Sequence, residues 1–255
     1  MLYLLCMSWP VLLGHALYSF HSRILPNWIA PAVPAMFLLM VIYWNERLRG
    51  GTRFVKPLLA AGLVLGILIE VPMHDSDFIG RIAGDNLPGP VDPLHRVRGW
   101  NTAASLVEAD REKLAAQGKP AFIIGGEYAI TGECTFYSPV ARKAIALKMP
   151  LVYCADSETP ENQYYFWPEY NYRTAWRQGE NAIYVEDIGP GKMEPGWLGK
   201  WLRHEPVGAQ PPEPEAPPAR MLNEFEKVTD LGVRDIEYHG RQFHQLHLWA
   251  CYNLK

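Results

Sequence analysis

Three long apolar runs fill the first 73 residues, and they constrain the fold more than any other feature of this 255-residue chain. The runs cover residues 2–20, 29–45 and 54–73. Each is close to the roughly 20 apolar residues that a helix needs to cross the hydrocarbon core of a bilayer. The sequence therefore predicts about three transmembrane helices in residues 1–73.

The connections between the runs predict how these helices are oriented. The segment 45–57 is short and carries four cationic side chains, which are Arg47, Arg49, Arg53 and Lys56. Because short basic loops stay on the cytoplasmic side, the second helix runs inward and the third runs outward. Everything after Met73 then lies outside. The sequence thus predicts a multi-pass protein of a bacterial inner membrane, with its carboxy-terminal domain periplasmic or extracellular.

The remainder of the chain has the composition of a water-soluble domain. Most of the charged residues follow Met73, and the net charge of −3 gives no reason to expect a nucleic-acid partner. Residues 74–91 contain several glycines and prolines, which is typical of a linker. A separate domain is therefore predicted for 92–255. Within it, the Pro- and Glu-rich stretch 205–220 predicts an exposed, irregular loop.

Predicted helices and strands alternate along this domain. Asp92-Pro93 has the form of a helix start, and apolar residues at helical spacing continue to about Gln117. A second helix is predicted from Tyr128 to Tyr137. Short apolar or alternating runs predict strands at 121–125, 151–154, 182–185, 225–228 and 242–249. Because strands and helices alternate first and two strands follow at the end, we predict an α/β layered domain with an antiparallel edge.

The cysteines and histidines give no reason to expect a metal or another cofactor. Three of the four cysteines lie after residue 91, and no pair has C-x-x-C spacing. Cys134 and Cys154 can pair in an oxidising compartment, or they can remain buried free thiols. His239 is close to His244 and His247, but those two are three residues apart and would face opposite sides of one strand.

Several short motifs occur in an order that resembles a known family. They are Asn27-Trp28-x-Ala30-Pro31, Asp92-Pro93, Arg98-Gly99-Trp100, Tyr128, Phe136-Tyr137 and Asn162-Gln163-Tyr164-x-x-Trp167. Together they resemble the carboxy-terminal part of bacterial GT-C superfamily membrane glycosyltransferases, relatives of the protein mannosyltransferases and of the lipid A aminoarabinose transferase. The resemblance covers nearly the whole chain. It implies many membrane helices followed by a periplasmic α/β domain.

The resemblance also implies a function. Such enzymes transfer a sugar from a polyprenyl-phosphate donor to a glycan, lipid or protein acceptor outside the membrane. Their catalytic carboxylates lie in outer loops near the amino terminus, and Asp75, Asp77 and Asp85 do not match those positions. We therefore expect a carboxy-terminal portion that is inactive alone. The alternative is a non-catalytic, membrane-anchored binding or assembly subunit, and no catalytic arrangement favours a soluble hydrolase.

Two groups of residues are candidates for binding. A lipid phosphate at the headgroup level needs cationic or donor groups, and these are available between the first two apolar runs, at His21, Arg23, Asn27 and Trp28. Arg23 can instead snorkel to ordinary headgroups, and Trp28 can be an interfacial anchor. In the soluble domain, a surface for sugar or acceptor is predicted at Tyr128, Asn162, Gln163 and Trp167. The alternative role of those four is core packing and loop anchoring.

Overall fold

We describe a computed structural model of the protein. It covers residues 1–22, 24, 26–51, 53–156, 159–160, 162–173, 175–207, 209–210 and 216–255. The chain divides into two compact units, Met1–Val71 and Pro72–Lys255. The first unit is helical, and the second contains the sheet.

The first unit holds the three predicted helices, α1 (Leu2–Tyr18), α2 (Val33–Arg49) and α3 (Val55–His74), the last of which ends inside the second unit. A 3₁₀ helix over Pro26–Ala32 leads directly into α2. The stretch Asn27–Arg49, with 23 residues, and α3, with 20, are long and apolar enough to cross a membrane. At 17 residues, α1 is shorter.

The second unit is built on a mixed sheet, as the sequence predicts. Its strands are β1 (Ala121–Gly125), β2 (Val152–Cys154), β3 (Asn181–Asp187), β4 (Lys192–Met193), β5 (Ala209–Gln210), β6 (Phe225–Tyr238) and β7 (Arg241–Leu254). Five of them form a sheet in the order β2-β1-β3-β7-β6. The first three are parallel, and β7 lies antiparallel to both β3 and β6. The predicted α/β domain with an antiparallel edge is therefore confirmed.

The described residues of the second unit also form six α-helices: α4 (Asp77–Ala83), α5 (Trp100–Ala115), α6 (Tyr128–Tyr137), α7 (Pro139–Ala146), α8 (Trp197–Leu202) and α9 (Ala219–Glu224). The predicted bounds of α6 are confirmed. The predicted helix start at Asp92 is wrong, because the helix begins at Trp100. Gly99 lies at φ 86°, a conformation that a helix cannot continue through, and the Asp92 carboxylate accepts the Leu94 N–H (2.8 Å) in a separate turn.

The core lies on both faces of the sheet because side chains alternate along each strand. Ile123 and Leu248 pack in the cluster that includes residues of α5, α6 and α7. Phe122, Ile124 and Trp249 belong to a second cluster that contains several aromatic rings. Each buried strand therefore carries apolar side chains in both directions, which explains why its sequence reads as a continuous apolar run.

The histidines of β7 face opposite sides, as predicted. The His244 ring lies 4.5 Å from the Trp100 ring, whereas the His247 ring lies 3.7 Å from that of Trp249. His247 is fully buried, and its Nε2 lies 2.8 Å from an Asp230 carboxylate oxygen. Within the described ranges, no group of three or more metal-ligating side chains is placed to hold a metal ion.

Of the two alternatives for Cys134 and Cys154, the structure shows the second. Both are buried, and no disulfide joins them. Burial raises the pKa of the Cys134 thiol to about 12, with Glu133 and Glu108 contributing. A thiol held neutral in an apolar cluster is a packing group rather than a nucleophile.

Residues 74–91 are not the linker that their composition predicts. They include α4 and a short 3₁₀ helix at Gly89–Val91. Gly89 is buried so closely that an added Cβ would overlap the Gln242 carbonyl oxygen and lie 2.7 Å from its carbon. The segment therefore packs against the start of β7.

A buried charge network fixes this segment. Asp92 has no exposed side-chain surface, and its carboxylate accepts hydrogen bonds from Ser76 Oγ (2.7 Å) and an Arg241 NH group (3.1 Å). Asp77 accepts from Arg98 (2.8 Å) and Arg241 (2.5 Å). These two aspartates thus share two arginines, one of which comes from β7, and Arg98 also lies 3.7 Å from Asp75.

Because of this network, the stability of the domain should fall at acid pH. Burial acts to raise the pKa of Asp77, but Arg98 and Arg241 outweigh it, so the pKa lies below its ordinary value of 3.8. A depressed carboxyl pKa gives stability that is present above the unfolded-state pKa and lost as pH falls through the folded-state pKa.

We expect Asp77→Asn to reduce the loss of stability below about pH 4. Unfolding followed by near-ultraviolet circular dichroism from pH 7 to 2 measures this, and exposed Glu237→Gln, which should match the parent, is the control.

The predicted loop 205–220 is less irregular than its composition indicates. Gln210 and Ala209 of β5 pair with Lys192 and Met193 of β4, and α9 begins at Ala219. Glu205 is exposed, as predicted for the loop. Residues 208 and 211–215 lie outside the described part of the chain.

Candidate functional site

The carboxyl ends of the parallel strands are the place to search for a site, because open α/β sheets bind ligands in the crevice outside these ends. The ends of β1 and β2 lie side by side, and the Ala155 N–H donates to the Gly125 carbonyl (2.8 Å). The connection from β2 to β3 leaves from this edge. Its described residues include three short 3₁₀ helices, Gln163–Phe166, Pro168–Tyr170 and Ala175–Arg177.

Two glycines let α6 start close to the end of β1. A Cβ at Gly125 would lie 2.7 Å from Thr131 Oγ1, and one at Gly126 would lie 2.8 Å from Tyr184 Oη. At Gly125 the added carbon would also lie 2.9 Å from the Thr131 backbone nitrogen, so this position requires glycine. At Gly126 the Tyr184 ring would have to move. The close approach fixes the first turn of α6, which carries Tyr128.

A groove lies beside this turn. It has a volume of about 400 Å³ and is lined by Tyr128, Asn162, Gln163, Tyr164 and Trp167. All four residues predicted to form a surface for sugar or acceptor therefore line one groove. Tyr164 was not among them. Its position between Gln163 and Trp167, within the same aromatic run, is the signal that marks it.

The two amides of the groove have different surroundings. Asn162 accepts a hydrogen bond from the Tyr164 N–H (3.0 Å) and donates to Cys154 Sγ (3.5 Å). It therefore positions the 3₁₀ turn that carries Tyr164. Gln163 is exposed, so its carbonyl oxygen and its NH₂ group can meet a ligand as acceptor and donor.

Three rings form a compact group at the groove. The centroids of Tyr164 and Trp167 are 5.6 Å apart, those of Trp167 and Tyr170 are 5.6 Å apart, and those of Tyr164 and Tyr170 are 4.9 Å apart. Burial raises the pKa of Tyr164, and Tyr170 and Cys154 add to the shift. The Tyr164 phenol is therefore a neutral hydrogen-bonding group at physiological pH.

A second cavity, of about 260 Å³, adjoins the groove and shares Asn162, Tyr164 and Trp167 with it. Its wall includes Asp156 and Arg173, which form an ion pair.

Neighbouring charges extend this pairing. Arg220 contacts Asp156 (2.9 Å) and Glu224 (2.8 Å), and Tyr172 donates to Glu224 (2.6 Å). Two carboxylates thus balance two guanidinium groups in this part of the structure. Such a balanced wall suits a neutral polar ligand better than an ion.

His21 and Trp28, two of the candidate donor-binding residues of the helical unit, have ring contacts with other residues of that unit. The His21 ring lies 6.2 Å from that of Tyr18, and the Trp28 ring lies 6.5 Å from that of His15. Asn27 is exposed within the 3₁₀ helix before α2. No hydrogen bond or ring contact of the described residues joins His21, Asn27 and Trp28. Arg23 lies outside the described residues.

His15, which interrupts the apolar surface of α1, has a local partner. Its Nδ1 lies 2.7 Å from the Val11 carbonyl oxygen, one turn earlier in the same helix. The ring therefore satisfies a polar atom within its own helix, and no partner from another helix is needed to explain it.

Comparisons with models of protein families, with curated proteins and with solved structures find no match to this chain. The resemblance to the GT-C glycosyltransferases thus depends on the order of the motifs. The groove, the balanced charges of the adjoining cavity and the apolar helices are the remaining guides to function.

Proposed function

We propose that this chain is the carboxy-terminal, membrane-anchored part of a glycosyltransferase that uses a polyprenyl-phosphate sugar. In this proposal the α/β domain binds a saccharide, of donor or acceptor, in the groove. The catalytic carboxylates lie outside this chain, so it does not transfer sugar alone. The observation that carries the proposal is the meeting of Tyr128, Gln163, Tyr164 and Trp167 in one groove at the carboxyl edge of the sheet.

The lining of the groove supports a saccharide. Sugars present apolar C–H faces and a rim of hydroxyl groups, and ligand sites match such molecules with aromatic surface and a few oriented polar groups. Trp167 keeps 43% of its surface exposed, which leaves ring area for stacking. The Gln163 amide and the Tyr164 hydroxyl can bond hydroxyl groups at the rim.

The helical unit supports a membrane location. Only 11% of the most apolar window of Asn27–Arg49 and 6% of that of α3 are buried, whereas a core helix of a soluble protein is mostly buried. Exposed apolar helices of 20 residues or more are stable where lipid covers them. The cations between these two helices favour a cytoplasmic position for their connection. In this proposal the α/β domain therefore lies on the outer face of a bacterial inner membrane.

The second candidate is a non-catalytic, membrane-anchored binding or assembly subunit. The observation that favours it is that every described residue of the groove's lining belongs to the α/β unit, so in this candidate the unit binds its ligand without a catalytic partner. Assays with radiolabelled polyprenyl-phosphate sugars and native membranes separate the two candidates. If depleting this protein leaves transfer unchanged while its groove still binds saccharide, the binding subunit is the better assignment.

Saccharide binding should depend on Trp167. We expect Trp167→Ala to weaken binding about tenfold or more, because aromatic anchors at the centre of a site carry much of its binding energy. The full chain in nanodiscs is titrated with mannose, glucose, galactose and aminoarabinose linked to short-chain polyprenyl phosphate. Calorimetry reports the affinity.

Trp176→Ala is the matched control. Trp176 is 44% exposed, almost the same as Trp167, but it does not line the described groove. The Trp176→Ala variant should therefore bind the saccharide with the affinity of the parent protein. If the two variants lose affinity equally, or if no sugar of the panel binds the parent, the proposed role of the groove is wrong.

A further inference from the structure

We infer that α7 and the turn that follows it form an interfacial anchor, which binds the anionic headgroups of a lipid bilayer. The anchor consists of Val140, Lys143, Leu147, Lys148 and Met149. The inference depends on the membrane location in the proposed function, but not on the groove or on any saccharide.

Exposed apolar side chains are the first observation. Val140, Leu147 and Met149 are 45%, 73% and 53% exposed. Val140 and Leu147 are seven residues apart and therefore lie on the same face of the helix, with Lys143 between them. Val140 lies in the first turn of α7, and Leu147 and Met149 lie just after its last residue. Together these three large apolar side chains leave a surface that water solvates poorly.

The backbone holds these side chains in a defined turn. The Lys148 N–H donates to the Ile145 carbonyl (2.8 Å), and the Met149 N–H donates to the Ala144 carbonyl (3.0 Å). These two bonds form a Schellman motif, whose left-handed position is normally glycine. Here that position is Lys148, at φ 57°. A lysine held in a strained conformation between two exposed apolar residues points to a function for its charge.

Charge complementarity identifies the partner as a lipid surface. The run from Ser138 to Pro150 contains Arg142, Lys143 and Lys148 and no acidic residue. Cations beside inserted apolar side chains are the composition of segments that lie in the interface of anionic membranes. A nucleic acid would use the cations but not Leu147 and Met149.

Lipid contact can be measured directly on the full chain. A Leu147→Cys variant, in a Cys6→Ser background, is labelled with bimane and placed in nanodiscs of phosphatidylglycerol or phosphatidylcholine that contain brominated acyl chains. The other native thiols are buried. Labels at Leu65→Cys in α3 and Leu222→Cys in α9 are the references, since both positions are exposed, at 59% and 51%.

We expect the brominated chains to quench bimane fluorescence strongly at position 65 and little at position 222. At position 147 we expect quenching in phosphatidylglycerol. Lys148→Gly should reduce the ratio of docked to free anchor about fivefold, the contribution of one cation near an anionic surface. Glycine suits the left-handed turn, so the thermal midpoint should not fall, and loss of quenching then reports the charge.

Two results would overturn the anchor while leaving the membrane location intact. One is quenching at 65 with a signal at 147 no stronger than at 222, which would assign the surface to a protein partner or to solvent. The other is equal quenching at 147 in both lipids. Absence of quenching at 65 would instead reject the membrane location, and with it the proposed function.

Discussion

Replacing Asp92 with alanine is expected to lower the free energy of unfolding of the α/β domain by about 3–5 kcal/mol. Asp92 is fully buried and bonds Ser76, the Leu94 N–H and two guanidinium groups. Alanine would leave Arg98 and Arg241, which are 12% and 13% exposed, without one of their counter-charges. An uncompensated charge in a buried position is one of the costliest defects a single substitution can introduce.

Urea unfolding of the full chain in micelles, followed by near-ultraviolet circular dichroism, measures this loss. Asp85→Ala is the matched control, because Asp85 pairs with His204 at the surface and such pairs contribute at most about 1 kcal/mol. Asp92→Asn keeps the shape and should lose less than alanine, which covers the case in which the alanine variant does not fold. Similar losses for Asp92→Ala and Asp85→Ala would show that the network is not a major source of stability.

Gly89→Ala should destabilise the same domain by about 3 kcal/mol or more, although it adds only one methyl group. That carbon would overlap the carbonyl oxygen of Gln242, which is backbone and cannot swing aside. Either the 3₁₀ turn at Gly89 or the first residues of β7 must move, and the nearby Arg241 ion pairs would be strained with them. Thermal unfolding of the full chain, at fixed detergent and pH, reports the change.

Gly132→Ala is the control, and this substitution is expected to stabilise the domain rather than destabilise it. Gly132 lies inside α6, where a Cβ would meet only Tyr164 Oη, at an ordinary 3.8 Å. Alanine in a helix interior is favoured over glycine by about 0.5–1 kcal/mol. A Gly89→Ala variant as stable as the parent would contradict the close packing of residues 74–91 on β7.

The strands of the sheet could be predicted from the sequence because each is specified by residues that are neighbours in the chain. Runs such as Ala121–Gly125 are short, apolar on both faces and bounded by glycine or proline, and α6 follows directly between Glu127 and Ser138. The start of α5 and the role of residues 74–91 could not be predicted in this way. Asp92-Pro93 has every local feature of a helix start, but its carboxylate is engaged by Arg241, which lies 149 residues away.

The groove was predictable in its residues but not in its division of roles. Tyr128, Asn162, Gln163 and Trp167 do meet, since α6 starts where β1 ends and the next crossover returns to the same edge. The sequence does not reveal that Asn162 is committed to Tyr164 and Cys154. Nor does the sequence reveal the balanced charges beside the second cavity, because Asp156 and Arg220 come together only through α9.

The strand order has a consequence for how the protein is made. During synthesis β3 leaves the ribosome well before β7, its neighbour in the finished sheet. Until then one edge of β3, with Tyr184 and Val185, has no partner in the nascent chain, and such edges recruit strands from other molecules. A premature stop codon before Arg241 should therefore yield aggregates or degradation products rather than a smaller stable sheet.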